Sequence, residues 1–176
     1  MKVGVPREIF PGERRTPLVP DVVSRLVKAG FEVLVERGAG DAASFGDDLY
    51  QAAGAQIWND APSVFEDADI VLKIHKPTLE EAEWLGEGKV LVSFLQPQAS
   101  LDLVSKLRDR RVTAFAMELV PRITKAQDMD ALSSMSTLAG YKAVLLAAAA
   151  QGKLFPMLVS AAGTLPPAQA LILGAG

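Results

Sequence analysis

The feature that most constrains this sequence is an alternation. Short runs rich in β-branched residues take turns with stretches whose apolar residues recur at helical spacing. "KVGVP" (2–6) reads as a first strand. "PDVVSRLVKAG" (20–30) follows, with Val22, Val23, Leu26 and Val27 on one helical face and Gly30 as a natural stop. "FEVLVERG" (31–38) predicts a second strand, "DDLYQAAGA" (47–55) a short helix, "QIW" (56–58) a short strand and "ADIVLKIH" (68–75) a longer one. "TLEEAEWL" (78–85) predicts a helix with "EEAEW" as its solvated face, and "KVLVSFL" (89–95) another strand. "SLDLVSKLRDRR" (100–111) predicts a helix with Leu103, Val104 and Leu107 inward, and "VTAFAMEL" (112–119) the next strand. Strands separated by amphipathic helices imply βαβ units, hence a parallel sheet covered on both faces with right-handed crossovers. The expected class is α/β, with a Rossmann-like N-terminal domain.

The pattern changes near residue 130. Residues 130–152 form one stretch of good helix formers, and "AAGTLPPAQ" (161–169) is a Gly/Pro break. "ALILGAG" (170–176) reads as a buried-type strand ending in Gly-x-Gly. The expected division is a first domain over 1–130, a linking helix region over 131–160, and the start of a truncated second dinucleotide-binding domain over 161–176. In such a unit Gly174 allows the tight turn and Gly176 lets backbone approach a pyrophosphate. The third glycine, the helix that would hold the phosphate and the acid for the ribose do not follow, so weak dinucleotide binding at most is expected. An unpaired strand at Leu171, Ile172 and Leu173 is expected to be disordered, swapped or paired with a neighbouring chain.

Composition removes several function classes. A net charge of -3 leaves no basic footprint for nucleic acid. With 0 cysteines and 1 histidine, disulfide frameworks, thiolate metal sites and histidine-rich metal sites are excluded. The N-terminus "MKVGVPREIF" lacks the apolar core of a signal peptide. The apolar run "AVLLAAAA" (143–150) is short of the ~20 residues needed to span a bilayer. A cytoplasmic chain is expected.

Against this apolar background, "RITKAQDMDALSS" (122–134) concentrates polar groups between a strand and a helix. Arg122 and Gln127 fall in the loop; Asp130 and Ser133 are spaced to share a helical face. A loop at the carboxyl end of a parallel strand is where α/β folds bind ligands. Gln127 and Ser133 donate and accept hydrogen bonds, Asp130 accepts and Arg122 donates, which suits an uncharged polar ligand such as a carboxamide.

"PRITKAQDMDALSSMSTLAGYKAV" resembles the nucleotide-binding α-subunit domain of the proton-translocating NAD(P) transhydrogenases. The resemblance continues through "GVPRE", "GERRTPLVP", "FAMELVPR", "AAGTLPPA" and the terminal "GAG", so it covers the whole chain. It implies that Arg122, Gln127, Asp130 and Ser133, with backbone groups of Ile123 and Thr124, lie against the nicotinamide of NAD(H). It further implies an NADP(H) site on a partner subunit, membrane-spanning partner subunits, a peripheral place at the inner membrane and a homodimer. The small residues of "LAGYKAVLLAAAA" would allow close helix contact across such a dimer.

Alanine dehydrogenases share the "GVPRE"-like start. In that family an arginine and a lysine hold the substrate carboxylate and a histidine moves the proton. Arg15 matches the arginine, but His75 stands at the lysine position and Gln96 at the histidine position. Glutamine has no accessible ionisation and cannot shuttle a proton near neutral pH. The resemblance therefore implies hydride transfer between two nicotinamides, with an amino-acid oxidoreductase or a non-catalytic assembly module as alternatives. Plainer roles stand beside these. Asp130 suits a helix N-cap, Ser133 and Ser134 ordinary first-turn hydroxyls, and Arg122 a pair with Glu118. Arg14 and Arg15 read as a solvated charge pair, His75 as a structural or surface histidine, and Met129 and Met135 as core or interface residues.

Overall fold

The computed structural model describes residues 1–174 and divides into two compact units, Met1–Asp130 and Ala131–Gly176. In the first unit, β1 (Lys2–Val5), β2 (Glu32–Glu36), β3 (Gln56–Trp58), β4 (Ile70–His75), β5 (Val90–Phe94) and β6 (Thr113–Ala116) form one sheet in the order β3-β2-β1-β4-β5-β6. Every pairing is parallel. This is the expected Rossmann-like sheet, with the chain reversing direction of travel between β1 and β4.

Register fixes what each face presents. Val3 pairs with Val33 and Val5 with Val35, and these side chains join Val23 and Tyr50 in one core layer. That layer is covered by α1 (Pro20–Lys28) and α2 (Asp47–Ala52). The intervening residues Leu34, Val71 and Leu91 face the other way, packing with Phe65, Leu85, Leu103 and Leu107. Those come from α3 (Ala61–Asp67), the turn after β4, and α4 (Leu101–Asp109). Gly4 shows how closely α3 lies on the sheet: a Cβ there would stand 2.6 Å from the Ala68 Cβ and 3.0 Å from the Val64 Cγ1. Only a glycine lets the helix approach this near.

Two expectations for the first unit change. The sequence reading assigns nothing to α3, although Asp60 accepts from the Ser63 N–H at 2.9 Å and Pro62 fills its first turn, both ordinary helix-start signals. The helix expected over 78–85 is only a 3-10 turn, Glu81–Glu83. A reciprocal cap forms at its start: Thr78 N–H donates to Glu81 Oε2 at 2.8 Å and Glu81 N–H to Thr78 Oγ1 at 3.0 Å. The Glu81 side chain is not solvated, being 4% exposed and paired with Lys73 at 2.7 Å. Drawn inward by that lysine and followed by Gly86 and Gly88, the segment stops after about one turn.

The second unit comprises α5 (Ala131–Ala150) and an antiparallel hairpin of β7 (Leu158–Ser160) and β8 (Gly163–Leu165). By length and composition alone α5 could cross a bilayer, which the eight-residue apolar run had not suggested, because its flanking serines and alanines extend the helix to 20 residues. Two other expectations are corrected here. The segment "AAGTLPPAQ" is not merely a break, since its Gly163 and neighbours build β8. The strand expected over 170–176 is not formed among the described residues: Leu171, Ile172 and Leu173 are 86%, 77% and 89% exposed and outside any sheet. A strand exists only with a partner for its backbone groups, and among the described residues no strand pairs with this segment. Gly174 adopts φ +92°, the left-handed region open to glycine. Gly176 lies outside the described residues.

Candidate functional site

The carboxyl edge of the sheet gathers loops from β1, β4, β5 and β6. After β6 the chain makes a 3-10 turn at Met117–Leu119, passes Pro121, and enters a second 3-10 segment at Thr124–Met129. Ala126 is buried and pins this segment, while Arg122 and Gln127 on either side are exposed. The backbone is tightly tied: Ile123 N–H donates to Pro121 O at 2.9 Å, Ala126 N–H to Ile123 O at 2.9 Å and Asp130 N–H to Gln127 O at 3.2 Å. The loop thus presents polar side chains from a short, hydrogen-bonded scaffold.

Asp130 and Ser133 do not share a helical face as expected. The helix begins at Ala131, so Asp130 precedes it with ψ 81° and only Ser133 lies within it. Arg122, Ile123, Thr124, Gln127 and Asp130 belong to the first unit; Ser133 and Gly174 belong to the second. Met129 is not a core residue: it is 56% exposed and lines an open groove of about 1000 Å³ with Phe115, Met117 and Leu119.

Glu118 is not the partner of Arg122. Its carboxylate accepts the N–H groups of Leu95, at 3.2 Å, and of Gln96, linking the end of β6 to the end of β5. Gln96 itself stands at φ 49°, ψ 57°, immediately before Pro97. Left-handed backbone is uncommon for a residue with a Cβ, and a following proline pushes its predecessor towards extended backbone. Sequence reasoning gave Glu118 no such role; an acid one turn past a strand end carries no distinctive signal.

Arg14 and Arg15 are both exposed, as expected, but each is tied to a partner. Arg14 Nε donates to Ala42 O at 3.2 Å. Arg15 grips Glu13 through Nε to Oε1 at 2.8 Å and Nη2 to Oε2 at 2.6 Å. His75 Nε2 lies 2.7 Å from the same Oε2, and its ring stacks on Phe10 with centroids 4.3 Å apart. His75 is therefore structural, fastening the β1–α1 loop to the end of β4. The Arg15 guanidinium, helped by backbone N–H groups and His75, holds the Glu13 carboxyl down to about 2 against the opposing effect of burial. Nearby, Glu8 accepts the N–H groups of Ile74 at 2.5 Å and His75 at 3.2 Å. The arrangement leaves no titrating side chain at the Gln96 position. Among the described residues no cluster of three or more His, Cys, Asp or Glu could hold a metal ion.

Comparison with known proteins agrees with this fold. The chain is 46% identical over its whole length to the NAD(P) transhydrogenase subunit alpha of Cereibacter sphaeroides, covering 34% of that protein. It is 38% identical to the alanine dehydrogenase of Bacillus subtilis, over 84% of this chain and 38% of that one. A crystal structure of transhydrogenase from Sinorhizobium meliloti matches with a TM-score of 0.90 at 38% identity, over 96% of this chain and 50% of that chain. The chain thus spans between a third and a half of the length of these relatives. The family described as "Alanine dehydrogenase/PNT, N-terminal domain" matches residues 4–139, and the chain belongs to that family.

Proposed function

We propose that the chain is part of the NAD(H)-binding subunit of an NAD(P) transhydrogenase, in which hydride passes from NADH to NADP⁺. The observation that carries this reading is the polar loop 122–130: exposed donors and acceptors fixed on a hydrogen-bonded turn at the carboxyl edge of a parallel sheet. Greater likeness to a protein named as a transhydrogenase subunit than to one named as an alanine dehydrogenase supports it.

The loop chemistry fits a carboxamide. Gln127 pairs with an amide in both directions, and Arg122 donates without accepting. Asp130 accepts, and backbone of Ile123 and Thr124 adds further polar groups; Ser133, in the first turn of α5, and the Gly174–Gly176 tail are assigned to the same cofactor from the sequence alone. A bound dinucleotide would supply the hydride chemistry, while these residues hold and orient it. No acid or base is required from the protein, consistent with Gln96 where the related dehydrogenases carry a histidine.

The rest of the reading follows the same family. NADP(H) sits on a partner subunit, membrane-spanning subunits couple hydride transfer to proton movement, and the subunit is a homodimer peripheral to the inner membrane from the cytoplasmic side. The chain by itself is inactive and binds NADH weakly. The test is a pair of assays on the full-length subunit: NADH-driven reduction of NADP⁺ with an NADP-binding partner, and reductive amination of pyruvate with ammonia. The first is expected to proceed and the second to fail. The reverse outcome would make the protein an amino-acid oxidoreductase.

A further inference from the structure

Gln96 occupies a backbone conformation that its own chemistry disfavours twice, once because it has a Cβ at φ 49° and once because Pro97 follows it. Such a conformation persists only where its surroundings impose it. The imposing group is visible. Two successive N–H groups, Leu95 and Gln96, converge on the Glu118 carboxylate. The φ rotation of Gln96 starts at the peptide whose N–H Glu118 holds, so releasing that peptide frees Gln96 to leave the left-handed region.

Glu118 also sits at the root of the polar loop. It lies in the 3-10 turn Met117–Leu119, four residues before Arg122, and is half-buried, whereas Gln96 is exposed. The bond therefore does more than relieve two backbone donors. It ties the point where the chain leaves β6 to the point where it leaves β5, two neighbouring parallel strands. Without it, the stretch from Leu119 to Lys125 would be tethered mainly by its own short turns, since Ala126 is the next buried anchor.

We propose that Glu118 is a positioning residue. It holds Gln96 in the left-handed conformation and fixes where the 121–130 loop emerges, and so sets the placement of Arg122 and Gln127 without touching a ligand. The value of that placement for hydride transfer rests on the function proposed above; the tie itself does not.

Trypsin tests the tie without any nucleotide, so its failure is distinguishable from failure of the functional reading. Arg122 and Lys125 are exposed cleavage sites within the loop, and Arg37, at the end of β2, is a distant reference. Loss of a charge-assisted contact predicts cleavage at Arg122 and Lys125 faster by about tenfold or more in Glu118→Ala, with Arg37 little changed. Glu118→Gln keeps an acceptor without charge and should fall between. In a Gln96→Gly background the backbone needs less holding, so Glu118→Ala should accelerate loop cleavage clearly less. A purely structural role would speed all three sites together and would not respond to Gln96→Gly. Equal acceleration everywhere, no acceleration at the loop, or no rescue by glycine would overturn the proposal. Should Glu118→Ala not fold, Glu118→Gln carries the same comparison, with amide exchange at Leu95 and Gln96 as the second readout: slow in the unaltered chain, faster in the variant.

Discussion

Lys73 Nζ stands 2.7 Å from Glu81 Oε1, and the two side chains are 1% and 4% exposed. β4 delivers the lysine and the capped turn after it delivers the glutamate, so the pair fastens the crossover between β4 and β5 from within. Removing one partner strands a buried charge and should cost about 3–5 kcal/mol. Lys73→Met is expected to lose that much in urea unfolding. Lys73→Met/Glu81→Gln removes both charges while keeping an acceptor for the Thr78 N–H, and should recover most of the loss. Additive losses in the double variant would mean the two residues are not coupled.

Glu13 gives the first unit an acid-sensitive fastening. Its carboxyl is lowered from 4.5 to about 2 by Arg15. A depressed carboxyl contributes stability that is complete above about pH 4.5 and is lost as pH falls towards 2. The contribution is up to about 3 kcal/mol, and less as solvent screens the half-exposed arginine. Glu13→Gln should therefore reduce stability at pH 7 and flatten its decline between pH 4.5 and 2. Parallel stability–pH curves for the two proteins in that window would show that the ion pair contributes nothing.

Gly4 tests the close approach of α3 to β1. An alanine methyl would meet Ala68 Cβ at 2.6 Å and the Val64 carbonyl oxygen at 3.3 Å. Helix or strand must move, at a cost of about 1–3 kcal/mol for Gly4→Ala. Gly12, whose added Cβ would meet nothing within 4 Å, provides a packing-free control, though its φ of +82° carries a backbone cost of its own. A melting temperature unchanged in Gly4→Ala would contradict the packing.

The sheet was legible because buried parallel strands read as apolar runs, and Val3, Leu34, Val71 and Leu91 say so directly. Element ends and the short turn at Glu81 were not, because they depend on partners distant in sequence: Lys73 decides where Glu81 points. The hairpin of Leu158–Ser160 and Gly163–Leu165 escaped because its three-residue strands are too short for an alternation to show. At the candidate site, residue types and loop position were readable in Arg122 and Gln127. The strained backbone at Gln96 and its holder Glu118 were not, since no pattern in a chain records a left-handed residue before a proline.

The central claim is that the loop after β6 orients a dihydronicotinamide. Its most direct test is the single-turnover rate of hydride transfer from NADH to NADP⁺ in the full-length subunit, assembled with an NADP-binding partner, for Gln127→Ala and Asp130→Asn. Misplacing the reacting ring predicts a fall of about tenfold to a hundredfold in each, with unfolding midpoints unchanged within error. Rates equal to the unaltered protein in both variants, with NADH saturating, would contradict the claim.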